Sequence, residues 1–327
     1  MTFLLNLITA AVLYGTPLLY GTSGEILTEK SGNLNLGVEG MMFMGGALGL
    51  GAAFYYEKLA GAAVSAPLAV VIAIAASFLA GALAALLFSF LTITLRANQN
   101  VTGLALTIFG TGVGQYIGEF MRVREGTYVA VSDTLKGAFN GSPFPVFLQE
   151  LPVVGRLLFS HSIFTYLGIA MAVAMGLYLH RSRSGLYLRA VGESPATADA
   201  AGISVTRCKY LATVIGGGIS AIGGMVYIMT VVCGVWNHEG LSGVGWLAVA
   251  LVIFCLWRPL SAIWGSVLLG ALMILYLRLT IPFIPTQLYK ILPYVVTLVV
   301  LIIVSLRKKR EDQPPASLGL SFFREER

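Results

Sequence analysis

Residues 65–91 read SAPLAVVIAIAASFLAGALAALLFSFL, a stretch with no charged residue. An α-helix rises about 1.5 Å per residue and the hydrocarbon core of a bilayer is roughly 30 Å thick, so about 20 apolar residues are enough to cross it. This stretch has residues to spare. Pro67 and Gly81 do not argue against a helix, because both residue types are tolerated in membrane spans. The rest of the chain is of the same kind. Of its 327 residues 57% are hydrophobic and only 11% charged, and the mean hydropathy is +0.84, which excludes a water-soluble globule.

Working outward, nine apolar segments can be drawn: 2–22, 37–56, 65–91, 100–120, 162–180, 210–233, 243–257, 259–279 and 289–306. The expected fold is therefore an all-α polytopic membrane protein of about nine transmembrane helices. A single transmembrane domain over 1–306 would hold them, with a tail at 307–327. The longest polar interruption, 181–209, carries Arg181, Arg183, Arg189, Arg207 and Lys209, and the positive-inside bias puts it in the cytoplasm. Counting spans from there leaves the N-terminus outside and the C-terminus inside. Fourteen Lys and Arg then fall inside, including Lys30, Arg96, Arg258, Arg307–Arg310, Arg324 and Arg327, against seven outside, Lys290 among them. The tail after Arg310 carries no motif, and its removal is expected to matter little.

The net charge of +6 is sorted by membrane side and is no nucleic-acid footprint. Cys208, Cys233 and Cys255 lack ligand spacing, so no metal, cofactor or disulfide framework is expected. The first 20 residues have no basic leader and read as a retained span. There is no G-x-x-x-x-G-K-[ST] motif, and His161, His180 and His238 form no H-E-x-x-H pattern, so no catalytic residue is assigned. The outer loop 121–161 reads equally as a spacer or a docking surface.

Two polar stretches stand out. In 24–44, GEILTEKSGNLNLGVEGMMFM, the residues Asn33, Asn35 and Glu39 interrupt apolar sequence between glycines. That pattern suits a broken helix lining a pathway or gate. Glu25 and Lys30 read as structural or solvated. Asn98 and Asn100 open the fourth span, Asn100 as its cap or as part of a cytoplasmic gate. In 181–209, Gly185 and Gly202 can break the chain, while Ser194 and Pro195 can start a short helix of small residues. Glu193 and Asp199 offer charge to a partner. The loop reads as a docking element or as a basic loop on lipid headgroups. A base or sugar ring would need amide partners and an aromatic surface, for which Phe43, Tyr116, Trp236 and Trp246 are candidates.

Taken together, SGNLNLGVEG at 31–40, GLYLRAVGESP at 185–195, ADAAGI at 198–203 and NQNVTGLA at 98–105 resemble the permease subunits of bacterial ABC importers of the branched-chain amino acid, ribose and nucleoside type. The wording of 31–40 is nearest the nucleoside branch. The resemblance implies a bacterial cytoplasmic membrane, a cytoplasmic ABC ATPase, a second permease subunit and an extracellular substrate-binding lipoprotein. It also implies an ATPase-coupling helix built from Gly192, Glu193, Ser194, Pro195, Ala198, Asp199 and Gly202. The alternatives are a simple-sugar permease, or a secondary transporter or channel. The latter would need a coupling-ion carboxylate deep in a span, whereas most carboxylates here lie near span ends.

Overall fold

Polar residues at the end of the first apolar segment do not stop its helix. In the computed structural model, which describes residues 2–278, 286–307 and 313–324, helix α1 spans Thr2–Glu29, seven residues past the apolar stretch. Its last turns stay helical because their side chains find partners inside the bundle: Thr22 Oγ1 donates to Ala248 O (3.0 Å) and the Trp257 indole donates to Glu29. Helices α2 (Val38–Ala60), α3 (Ala66–Ser89) and α4 (Gln99–Glu125) follow. Short helices α5 (Asp133–Asn140) and α6 (Val146–Gln149) lie in the expected outer loop, which is thus not an unstructured spacer. Then come α7 (Ile163–Arg181), α8 (Arg183–Glu193), α9 (Pro195–Ala200), α10 (Val205–Val226), α11 (Val244–Phe254), α12 (Pro259–Arg278) and α13 (Thr286–Arg307). Among the described residues the fold is all-α, with one isolated bridge between Ala130 and Val235.

Five of these helices are long and apolar enough to cross a membrane by length and composition. The others fall into two kinds. α4, α12 and α13 have crossing length but shorter or more polar apolar runs. α11 has only 11 residues, about 16 Å. The loop before it extends its reach along the bundle: His238 lies by Gln115 and Glu119 of α4, Gly243 by Glu39, Ala248 by Thr22, and Trp257 by Glu29. This stretch therefore runs along the other helices as loop first and short helix second. The end of the span drawn at 259–279, the basic run Lys308–Arg310 and the terminal Arg327 lie outside the described residues, as does the side chain of Lys290.

Helix α1 packs on α10, α12 and α11, and α2 packs on α3, α4 and α10. Small residues make these approaches possible, since packing rather than hydrophobic exclusion holds helices together in lipid. A Cβ on Gly110 of α4 would come within 2.7 Å of the Gly40 backbone of α2, whereas one on Gly112 would meet nothing within 4 Å.

Candidate functional site

Between α1 and α2 the chain must reverse inside the bundle, where each backbone N–H and C=O needs a partner. Residues 30–37 obtain several of them from α1 and α4, and Asn33 adds a side-chain bond to α10. Leu34 N donates to Gln99 Oε1 of α4 (2.7 Å), and Thr107 Oγ1 of α4 donates to Leu36 O (2.7 Å). Glu25 of α1, 1% exposed, accepts from Asn35 N (3.2 Å) and Asn35 Nδ2 (3.3 Å). Asn35 Oδ1 accepts from Gly37 N (2.9 Å), and Asn33 Nδ2 donates to Thr213 Oγ1 of α10 (2.9 Å). The expected broken helix is not what forms: α1 and α2 are two separate long helices, and 30–37 is the reversal that joins them, because its polar groups find partners within the bundle. Asn35 and Glu25 are its internal braces, while Asn33 reaches a cavity.

That cavity, about 360 Å³, is lined by Asn33, Gln99, Thr92, Thr94, Arg96 and Lys209, with Asp199 and Arg324 also on its wall. Lys209 is 3% exposed and has no hydrogen-bond or ion-pair partner among the described residues. Most of these groups are amides, hydroxyls and cations, with the Asp199 carboxylate beside them, suited to holding a polar solute by hydrogen bonds. Among the described residues no three His, Cys, Asp or Glu converge as a metal site. Of the two asparagines expected at the start of α4, neither lines this cavity. Asn98 is the cap, its Oδ1 accepting from Val101 N (3.1 Å), and Asn100 is exposed. The cap reading of Asn100 thus moves to Asn98, and the inward residue is Gln99. Its neighbours at 98 and 100 carry similar amides, so only the helical phase could single it out.

Glu39 sits elsewhere. Its Oε1 accepts from Gly243 N (2.6 Å), and its Oε2 from Gly245 N (2.6 Å) and Trp246 N (3.2 Å). It therefore occupies the N-terminus of α11, where free amides and the helix dipole favour a carboxylate.

The 181–209 segment folds as two helices. Ser182 caps α8, its Oγ accepting from Gly185 N (2.9 Å), so Gly185 lies inside α8 and does not break the chain as expected. The break falls at Ser194, whose Oγ accepts from Thr197 N (3.4 Å), with Pro195 in the first turn of α9. Gly202, at φ +83°, ends it. The seven residues expected to couple divide by face. Glu193 and Gly202 are exposed, and Ser194, Pro195 and Asp199 are half-buried. Gly192 and Ala198 are buried: a Cβ on Gly192 would collide with the Lys30 carbonyl, and Ala198 packs with Val191 and Val205. Burial holds the Lys30 ammonium below the usual lysine range, opposed by nearby Glu193.

The tail is the element that sequence reasoning undervalued. Residues 313–324 lie on the same face as α9 and the 30–37 turn: Ser317 N donates to Gly192 O (3.0 Å), and Gly319 N to Gly32 O (3.2 Å). The aromatic candidates are not on the wall of the polar cavity, and Trp246 is half-buried beside Glu39. Phe43 and Trp236 are buried in the core, and Tyr116 is exposed and stacked on Phe120 (6.2 Å).

Residues 5–301 match the family described as branched-chain amino acid transport system / permease component. A permease protein of Haloferax volcanii, provisionally named for a glucose ABC transporter, is 36% identical over 281 residues, covering 85% of this chain and 79% of that protein. The guanosine ABC transporter permease protein of Bacillus subtilis is 31% identical over 265 residues, 81% of this chain and 79% of its own length. The nucleoside ABC transporter permease protein of Lactococcus lactis is 29% identical over 307 residues, 91% and 92% respectively. With such coverage on both sides, the likeness concerns the whole bundle and not one motif.

Proposed function

This chain belongs to the branched-chain amino acid transport system permease family, and on that premise we propose that it forms the membrane pathway of an ABC importer for nucleosides. Family membership decides the class: a permease component in a multi-pass membrane protein, rather than a self-powered secondary transporter. The observation that carries the importer reading is the family match over 5–301. The substrate rests on the guanosine and nucleoside permeases that resemble the chain along most of their length.

In this reading the chain crosses the membrane about nine times with its N-terminus outside, as one membrane domain over 1–306. The face bearing α8, α9 and the tail is cytoplasmic. A separate ABC ATPase docks on the exposed side of α9, through Glu193 and Gly202 with Ser194, Pro195 and Asp199. A second permease completes the pathway and an extracellular lipoprotein delivers solute. Asn33 lines the solute's route beside Gln99, Asn35 and Glu39 hold that route in shape, and Asn98 and Asn100 begin the helix that bounds it.

The test is a gentle pull-down from native membranes, followed by uptake of labelled guanosine and labelled glucose into proteoliposomes. Recovery of an ATPase, a second permease and a lipoprotein, with guanosine taken up, is the expected result. A Glu193→Ala chain should insert normally and lose uptake. Recovery of the chain alone from membranes that keep other complexes intact would sink the importer reading. Glucose uptake without guanosine uptake would establish the second reading, a simple-sugar permease, which the Haloferax volcanii relative favours.

A further inference from the structure

Helix α9 has six residues, too few to persist without tertiary support. It packs on α8 and on the start of α10, and its remaining support comes from the tail. Phe322 covers the buried side of α9, packing against Val191, Ala198 and Val205. Arg324 Nε donates to Asp199 Oδ2 (3.2 Å).

The same tail segment grips two other bodies. Ser317, 6% exposed, donates twice to the carbonyl that ends α8, from N (3.0 Å) and from Oγ (2.6 Å) to Gly192 O. Two residues on, Gly319 at φ +80° turns the chain so that its N–H reaches Gly32 O in the α1–α2 reversal. Gln99 Nε2 of α4 then donates to Leu320 O (3.4 Å), and the Arg96 guanidinium lies over the Phe323 ring (4.5 Å). Gln99 also holds Leu34 N, so one side chain joins tail, reversal and α4.

We infer that residues 313–324 are a coupling strap, which ties α9 to the 30–37 reversal and the start of α4 so that displacement of α9 moves that reversal. Burial decides which bonds carry force. The Arg324–Asp199 pair is largely exposed on the arginine side and contributes little, as surface pairs do. Ser317 carries most of the strap, because its bonds to Gly192 lie away from solvent, and half-buried Phe322 adds its packing on the buried patch at 191, 198 and 205. The strap also explains why Gly192 and Ala198 face inward: they are seats for the tail, and the partner-facing side of α9 is the opposite one.

This inference rests on the importer reading, and the experiment separates the two. The complex is reconstituted with its ATPase, second permease and binding protein, using the full chain, a chain ending at Asp312, and a full-length Phe322→Asp chain. ATPase recovery, ATP hydrolysis and solute uptake are measured on each. Both altered chains should keep the ATPase and its hydrolysis, while uptake per ATP falls by about tenfold, within the usual range for coupled sites. A full-chain complex without an ATPase would sink the proposed function and the strap with it. A working full-chain complex, with the shortened chain transporting at the same ratio, would overturn the strap alone. Should the shortened chain lose its ATPase, the Phe322→Asp chain decides. Assembled and uncoupled supports the strap; assembled and coupled overturns it. Loss of the ATPase from both would assign the tail to docking and also overturn it.

Discussion

Glu39 Oε2 accepts the amide hydrogen of Gly245 at 2.6 Å, joining the second residue of α2 to the first turn of the short helix α11. Gly245 has no alternative at this approach, since a Cβ there would collide with the Glu39 backbone. Glu39→Gln keeps the shape but turns one acceptor into a donor that faces amide donors. The expected cost is about 1–3 kcal/mol, the price of leaving buried polar groups unpaired. It should appear as a lower thermal midpoint of the detergent-purified protein. An unchanged midpoint would mean that α11 is not held by this carboxylate.

The crossing of α2 and α4 offers a matched pair. Gly110→Ala puts a methyl against the Gly40 backbone and is expected to destabilise by about 1–3 kcal/mol through overpacking. Gly112→Ala meets open space and should be neutral, or stabilising by up to about 1 kcal/mol from helix propensity. Folded yield and thermal midpoint report both. Equal effects at the two positions would contradict the crossing.

Lys209 is buried, without a partner among the described residues, on the wall of the polar cavity. Its stem is buried while its ammonium meets the polar cavity, so Lys209→Met, which keeps the length and removes the charge, should leave thermal stability unchanged or raise it. If the cation serves the solute's route, uptake falls in the same variant. A variant that is less stable and fully active would show that Lys209 is held by a favourable structural contact instead.

Acid should loosen the loop 121–161 at His161. Burial pushes its imidazole below the ordinary value of 6.5, and its Nε2 lies 3.0 Å from Leu157 O. The unfolded chain therefore binds the proton first. The stability of the neutral ring is present above 6.5 and is lost as pH falls from there through the lower folded-state value. A proteolysis profile of the 142–166 region should show faster cleavage on acidification, and His161→Gln should flatten that dependence. The same pH response in the variant would place the titrating group elsewhere.

Hydropathy made the helices legible but not where they stop. The first segment seemed to end at residue 22, because Thr22, Ser23, Glu25, Thr28 and Glu29 read as a polar exit. Each is buried; Thr22 and Glu29 are satisfied by residues far along the chain, Ala248 and Trp257, and Glu25 by Asn35. Local pattern cannot reveal partners two hundred residues away. The reversal at 30–37 was legible for a different reason: its glycines and asparagines mark a non-helical stretch in any context. Ser194 and Pro195 likewise announced α9, whereas Gly185 misled, since a glycine inside a helix also serves close packing, here against the Tyr178 carbonyl. Nothing in SLGLSFF at 317–323 shows periodicity or a long apolar run, and so the tail read as dispensable. Its importance lies wholly in what it touches.

The tail has one consequence for how the protein is made. Synthesis runs from the N-terminus, so Val191, Ala198 and Val205 are in place more than a hundred residues before Phe322 exists to cover them. Throughout that interval the nascent chain holds this apolar patch with only Ile203 and Cys208 packed against it, on the side of α9 away from the face proposed for a partner. The seat of α9 is thus laid down early and closed late.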